Sequence, residues 1–443
     1  MTSLHPLAVE LNHTLEAAAP EVASMLSALG KRMFFPKGIL SQSAEAKQKA
    51  KRFNATIGIA TEGGVPMHLP SLHAMVSGVS PAEAYDYAPP AGRPGLRETW
   101  RKKLLAENPS LAGKTFGLPI VTSAITHGIS LVADLFVDAN DVVIAPDQLW
   151  DNYRHELEVH LCARIETYPF YERGGFNAVG LGALMEKAGR EHGKLVILLN
   201  FPNNPTGYMP TEAEGAAVVE ALRAQADHGT KLVVVCDDAY FGLFYHVGGR
   251  SMTESLFGRL TGLHPNILAV KLDGATKELF VWGLRCGFVT FGPGRADTAK
   301  TVIDVLDAKC RGNIRAVVSN APGLSQALVE RALAAPSIEG ERAQKRDLLR
   351  ARAEEVQRVA TDPRYFESWE VYPFNSGYFM LIKVLGVDAN KLREHLLDAH
   401  QVGLIATSAT DLRVAFSCLE VEQVAPLFDI VHRAIGELRA KKS

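Results

Sequence analysis

Between about residues 120 and 290, short apolar runs alternate with stretches of helical periodicity. That rhythm predicts a largely parallel sheet covered by helices. The expected strands are Val142–Ala145, Arg164–Tyr168, Leu195–Leu199, Leu232–Cys236, Ile267–Leu272 and Cys286–Phe291. LVILL at 195–199 and LVVVC at 232–236 show no polar alternation, which suits strands buried on both faces. After Pro322 the pattern changes. Residues 341–360 (ERAQKRDLLRARAEEVQRVA) read as a long charged helix of the kind that bridges domains. Phe374–Val384 reads as strand, Lys391–His400 as helix and Asp411–Ser417 as strand. A closing amphipathic helix carries Val424, Leu427, Phe428, Val431, Ile435 and Leu438 on one side. The expected fold class is therefore α/β, a mainly parallel sheet wrapped by helices, with a smaller α+β unit.

A chain of 443 residues exceeds one ordinary core, so more than one domain is expected. Hydrophobic residues at 47% and charged residues at 22% describe a soluble globular protein. A formal net charge of -2 argues against a nucleic-acid partner. The five cysteines (Cys162, Cys236, Cys286, Cys310, Cys418) are dispersed, fitting structural thiols in a reducing compartment. No basic leader precedes an apolar segment, and no apolar run is long enough to span a bilayer, so no membrane association and a cytoplasmic location are expected.

In open α/β sheets ligands collect at the carboxyl ends of strands, and the chemistry-bearing residues sit there. Asn200-Phe201-Pro202-Asn203-Asn204-Pro205-Thr206-Gly207 follows the first buried run, and Asp237-Asp238-Ala239-Tyr240 follows the second. The third strand end leads into Gly274-Ala275-Thr276-Lys277 and then Gly283-Leu284-Arg285-Cys286-Gly287. Alone, each reads as a turn, an acidic strand end or a basic loop with wetted tips. Together, Lys277 and Arg285 in apolar surroundings suggest two cations facing one bound anion.

In order and spacing these motifs resemble fold-type I pyridoxal-phosphate enzymes, specifically class I aminotransferases of the aspartate and aromatic kind. The resemblance runs from about Ile57 to Phe416. It implies pyridoxal 5'-phosphate as cofactor, bound covalently by Lys277 as a Schiff base. Asp237 would face the pyridine nitrogen, with Asn204 and Tyr240 on the ring oxygen and Trp150 over the ring. Arg285 would grip the phosphate, its planar fork suiting that task better than a lysine. Ala124, Ile125 and Thr126 in TSAITHG (122–128), ahead of a helical run at Ile129–Phe136, would complete the phosphate cup. Thr276 could replace the hydroxyl lost where the family usually has serine and this chain has Gly274. Tyr87 matches a tyrosine that reaches the phosphate from a neighbouring subunit, so the implied assembly is a homodimer with shared sites. Lys277, Asp237 and Tyr240 are the expected catalytic residues. The implied division is a large cofactor-binding domain at 67–322 and a small domain from 1–66 and 323–443.

For substrate, Arg413 in Leu412-Arg413-Val414-Ala415-Phe416 matches an arginine for the α-carboxylate, with Asn204 and Trp150 beside it. Arg315, followed by Ser319-Asn320-Ala321-Pro322, resembles an arginine that reads a distal carboxylate across the dimer, or is a plain surface arginine. Ile59, in the 57–66 stretch, belongs to a loop resembling the wall of the substrate side. Tyr378 is either near substrate or core. The expected activity is amino transfer between an L-amino acid (dicarboxylic or aromatic) and a 2-oxo acid such as 2-oxoglutarate, by a ping-pong route. Two alternatives stand: a lyase, decarboxylase or racemase on the same scaffold, and a non-catalytic effector-binding domain of this shape. No metal site is expected. In particular His155 and His160 stand five apart, the wrong step for two ligands on one α-helical face. The Asn204-Pro205 bond is a candidate cis peptide.

Overall fold

A computed structural model describes residues 4–36 and 38–441. Residues 1–3 and 37 of the expected N-terminal segment, and 442–443 at the other end, lie outside it. The main sheet has seven strands: β1 (Ile120–Ser123), β2 (Val142–Pro146), β3 (Arg164–Tyr168), β4 (Lys194–Asn200), β5 (Lys231–Asp237), β6 (Ile267–Gly274) and β7 (Cys286–Pro293). They lie in the order β1-β7-β6-β5-β4-β2-β3. β6-β5-β4-β2-β3 pair parallel, whereas β7 runs antiparallel to both β6 and β1. The expected strands are therefore present, each within a few residues of its boundaries, and β1 is an addition. Its four residues end in Thr122-Ser123, too short and polar a run to read as strand.

Helices cover both faces. Those used below are α1 (Ile39–Lys49), α2 (Ala124–Phe136), α3 (Ala178–Glu191), α4 (Glu212–Asp227), α5 (Ala299–Val317), α6 (Ile338–Ala360), α7 (Ala389–His400) and α8 (Val421–Ala440). Leu181, Met185, Val218 and Leu222 of α3 and α4 pack against Ile197 and Val234 on one face of the sheet. Ile129 and Val132 of α2 and Ile314 of α5 pack against Val196 and Val235 on the other. The uninterrupted apolar runs of β4 and β5 are thus explained: neither face meets water. α2 begins at Ala124, one and a half turns earlier than its apolar pattern suggests, because Ala124-Ile125-Thr126 already wind as its first turn.

A second sheet contains β8 (Trp369–Val371), β9 (Phe379–Val384), β10 (Ile405–Ala406) and β11 (Asp411–Ala415), in the order β8-β9-β11-β10, all antiparallel. Expectation and structure part at Phe374–Val384. Only its second half is strand, because Asn375 turns its amide onto both backbone groups of Met209 and Gly377 sits at φ +72°. α6 is longer than expected at its start. Its buried Leu349, Ala353 and Val356 face α8, and its fully buried Arg352 donates to the carbonyls of Thr61 and Ser417 and pairs with Glu420. The N-terminal Phe53–Asn54 pairs parallel with Val402–Gly403. No helix among the described residues is long and apolar enough to cross a membrane.

Candidate active site

The carboxyl ends of β4, β5 and β6 open into one cavity between the two sheets. Its lining includes Asn200 and Asn204 after β4, Asp237 and Tyr240 after β5, and Thr276 and Lys277 after β6. Ala124, Ile125, Thr126, Trp150, Arg285 and Arg413 complete the set that the sequence places there. Parallel pairing puts Asp237 opposite Asn200 and Leu272, so the acid and the lysine-bearing turn leave the sheet side by side.

Asp237 is buried. The Tyr153 hydroxyl donates to its Oδ2, and the Ala239 backbone N–H donates to Oδ1 at 3.0 Å. Burial pushes its carboxyl up to about 6, against the pull of Tyr153 and Lys277. The Lys277 amine lies 5.0 Å from the centroid of the Tyr240 ring. Burial, helped by Arg285, brings it down to about 8, with Asp237 opposing. An amine at that value is uncharged in about a tenth of molecules at pH 7, against fewer than about one in a thousand for an ordinary lysine, as a nucleophile or base requires. Tyr378 is buried, and its hydroxyl donates to the Lys277 carbonyl at 3.1 Å, so it belongs to the core that sets the lysine's backbone.

At one end of the cavity Arg285 is held at φ +51° and Ala124 at φ +64°, both uncommon for residues with a side chain. They meet because the Ala124 N–H donates to the Arg285 carbonyl at 3.1 Å. Gly287 permits the approach: a Cβ there would lie 2.6 Å from the Ala124 carbonyl carbon. The Ser123 side chain does not cap α2, which leaves first-turn N–H groups available to an anion. Beside them the Thr276 hydroxyl is buried with no hydrogen-bond partner. An orphaned hydroxyl, an uncapped helix start and an exposed guanidinium on one wall fit a phosphate. With the amine and the carboxylate further along the cavity, these residues fit pyridoxal phosphate.

At the other end Arg413, on β11, is buried. It donates to Asn204 Oδ1 at 3.0 Å and to the Thr56 carbonyl at 2.9 Å, its guanidinium lies 4.2 Å from the Phe379 ring centroid, and Nε has no partner. Burial lowers it to about 10, with Tyr240 and Asp151 opposing. No carboxylate among the described residues forms an ion pair with it. A buried, unpaired guanidinium calls for an anion.

Asn204 is positioned from both sides. Its N–H donates to Asn200 Oδ1 at 2.8 Å, and the Phe201-Pro202 and Asn204-Pro205 bonds are both cis, of which the sequence suggested only the second. Gly207, at φ +72°, lies where a Cβ would come within 1.9 Å of the Phe379 carbonyl oxygen. Only glycine lets the loop after β4 nest against the second sheet.

Three expected residues stand elsewhere. Ile59 does not line the cavity; Ile57 and Gly58 do, and the Ile59 carbonyl instead accepts from Ser417 Oγ at 2.7 Å. Tyr87 is 91% exposed, and Arg315 is exposed with its guanidinium on Ser319 Oγ at 2.6 Å. Conversely Ser43 of α1, Thr56, Tyr153, Ala239 and Phe379 line the cavity without having been expected. Tyr153 was within reach, since it sits in the Trp150-Asp151-Asn152-Tyr153 stretch; Ser43 carries no motif. His127 turns its Nδ1 to the Ser123 N–H at 3.1 Å and does not line the cavity. His155–His160 winds as a π-helical turn in which His160 pairs with Glu156 at 3.3 Å and His155 stands edge-on to Phe34.

The family model described as "Aminotransferase class I and II" matches residues 80–431. A probable aspartate/prephenate aminotransferase of Aquifex aeolicus (strain VF5) is 31% identical over 134 residues, 30% of this chain and 32% of that protein. The match thus spans about a third of that relative's length. Among solved structures, an aminotransferase from Anaerococcus prevotii DSM 20548 superposes with a TM-score of 0.81 at 22% identity, covering 93% of this chain and 98% of that one. The multiple substrate aminotransferase from Thermococcus profundus gives 0.79 at 14% identity, covering 96% and 100%. A Pyrococcus horikoshii kynurenine aminotransferase, solved in complex with PMP, gives 0.76 at 16%, covering 94% and 98%. At these identities the structures speak for the fold. The chain belongs to the class I and II aminotransferase family, the pyridoxal-phosphate-dependent transaminases.

Proposed function

We propose that this chain moves an amino group from an L-amino acid to a 2-oxo acid such as 2-oxoglutarate. The observation that carries the reading is one cavity with an amine lowered to about 8, a buried carboxylate and a buried unpaired guanidinium. Lys277 would hold pyridoxal phosphate covalently, Asp237 would face its ring nitrogen, and Asn204 and Tyr240 its ring oxygen. Trp150 would cover the ring, while Arg285, Thr276 and the first turn of α2 would hold the phosphate. When bound, the cofactor supplies an electron sink that stabilises negative charge at the substrate Cα. Lys277, as the free amine, would take the proton from that carbon and deliver it to the cofactor carbon that had carried the aldehyde. Arg413, steadied by Asn204 and the Thr56 carbonyl, orients the α-carboxylate, and Tyr153 keeps the Asp237 carboxylate turned toward the ring.

The proposed domain division, 67–322 against the two terminal parts, is supported by the pairing of Phe53–Asn54 with Val402–Gly403. A homodimer with shared sites is supported by one exposed apolar patch. Tyr85 and Tyr87 lie beside the Val317–Leu324 turn, where a Cβ on Gly323 would come within 3.0 Å of the Asp86 carbonyl. Tyr87 and Arg315 would then serve the partner's cavity. The apolar wall of Ile57, Phe379 and Trp150 favours an aromatic side chain; Arg315 from a second copy favours a dicarboxylate.

A panel of amino acids offered to the loaded protein without any 2-oxo acid tests both levels. Stoichiometric pyridoxamine phosphate is expected, whereas ammonia, CO2 or inverted substrate would favour a lyase, decarboxylase or racemase. No turnover of any amino acid would favour an effector-binding domain. Arg315→Ala should lower kcat/KM for dicarboxylates by about 10²-fold and leave aromatic substrates alone; equal rates on both classes remove Arg315 from recognition.

Uptake of pyridoxal phosphate by the cofactor-free protein should follow the charge on Lys277. Its amine attacks only when neutral, and burial has brought its pKa to about 8. The uptake rate, followed by absorbance, should rise roughly tenfold per pH unit below that value and level off above it. A flat profile would contradict a titrating amine.

A further inference from the structure

Where the end of α7 packs on α8, two imidazoles and a carboxylate converge. Nε2 of His395 lies 2.6 Å and Nε2 of His400 2.9 Å from the same Oε2 of Glu437. The three donor atoms all lie within 4.8 Å of one another, and the two rings stand nearly perpendicular, centroids 5.3 Å apart. The histidine side chains are only 14% and 13% exposed, while the carboxylate is 38% exposed and reachable by water. None of the three lines the cofactor cavity, and the proposed chemistry gives them no task.

The backbone beneath the cluster is fixed. Leu392 and Leu396 of α7 and Val431, Ala434 and Ile435 of α8 are buried at the contact, so all three donors are carried on packed helices. His395 and His400 stand five apart, the step that separates two ligands on a regular helical face, but His400 is the last residue of α7 and Glu437 of α8 meets both rings between them. Two neutral imidazole nitrogens and one carboxylate oxygen are the donor set that suits zinc and its neighbours, whereas magnesium and calcium prefer oxygen alone. A tetrahedral zinc with bonds of about 2.1 Å spaces its ligands about 3.4 Å apart. The two nitrogen–oxygen separations, 2.6 and 2.9 Å, need to open by about 0.8 and 0.5 Å, within reach of side-chain rotation. The fourth position would face solvent through the carboxylate side.

We propose that His395, His400 and Glu437 bind one divalent ion of the zinc class, which clamps α7 to α8 at a place separate from the cofactor cavity. On binding, each Nε2 would turn its lone pair to the ion and each ring would carry its proton on Nδ1.

The test uses protein loaded with pyridoxal phosphate, stripped with chelator, equilibrated with zinc chloride near neutral pH and desalted. Bound metal is counted by mass spectrometry. Wild type should retain one more zinc per chain than His395→Ala or His400→Ala, and zinc should raise the Tm of wild type but of neither variant. Glu437→Gln should weaken binding about tenfold or more. The cofactor absorption band serves as the check that each variant is folded. In unmutated protein, cobalt should give visible bands of a low-coordinate site with nitrogen ligands, independent of any variant's folding. Equal zinc in wild type and both histidine variants, or cobalt bands of the hydrated ion alone, would overturn the site and leave the cluster as a hydrogen-bonded tie. Because these readouts do not involve turnover, they succeed or fail independently of the aminotransferase reading.

Discussion

Lys277→Ala should cost transamination about 10⁴-fold or more, and borohydride should then leave no cofactor fixed to the protein. The loss is large because, in the proposed chemistry, one side chain serves twice, as covalent anchor and as proton carrier. Its surroundings are built for both tasks. Tyr240 and Arg285 stand beside it, no acid donates or accepts a hydrogen bond at its nitrogen among the described residues, and burial holds its charge down. Contacts to the phosphate and ring survive the substitution, so the variant should still take up the cofactor reversibly. Single-turnover measurements with an amino acid therefore separate the two roles from mere loss of binding. A variant that keeps more than about a tenth of the wild-type kcat would remove Lys277 from the chemistry altogether.

Asp237→Asn should lower kcat by about 10²–10³-fold while the lysine-bound cofactor still forms. Asparagine keeps the size; its Oδ1 can still accept from the Ala239 N–H while its NH2 donates to the Tyr153 hydroxyl oxygen, so the fold has no reason to yield. What it lacks is the negative charge, in a buried site where a charge counts for more than it would in water. Without it a ring nitrogen loses the partner that favours its protonated form, and electron withdrawal from the substrate carbon weakens. The expected signature is a fall in kcat with little change in KM, and an altered pH dependence of the cofactor's absorption. An unchanged kcat would mean that the acid only orients Tyr153.

The sheet was legible because its strands are buried on both faces. LVILL and LVVVC have one physical reading at that length, and their ends bring Asn200, Asp237 and Lys277 together with nothing more than parallel register. The cation at Arg285 was legible for a related reason: a charge placed among apolar residues needs a partner. Residues from remote segments were not. Ser43 sits on an ordinary amphipathic helix, and Thr56 contributes a backbone carbonyl, which no side-chain pattern encodes. Nothing in the 57–66 stretch tells Ile57 from Ile59, because a loop's inward face depends on its dihedral angles, not on its composition. The sequence reads as one strand from Phe374 to Val384, because the turn at Asn375 depends on a contact with Met209, distant in sequence. The convergence of His395, His400 and Glu437 was equally hidden, since two of them lie on one helix and the third on another.

Arg413 belongs to the second sheet, yet one of its nitrogens rests on Asn204 from the first and another on Thr56 near the start of the chain. Any acid that settles on this guanidinium thus loads three parts of the polypeptide through a single joint. An amine of identical shape but without the acid group cannot load that joint.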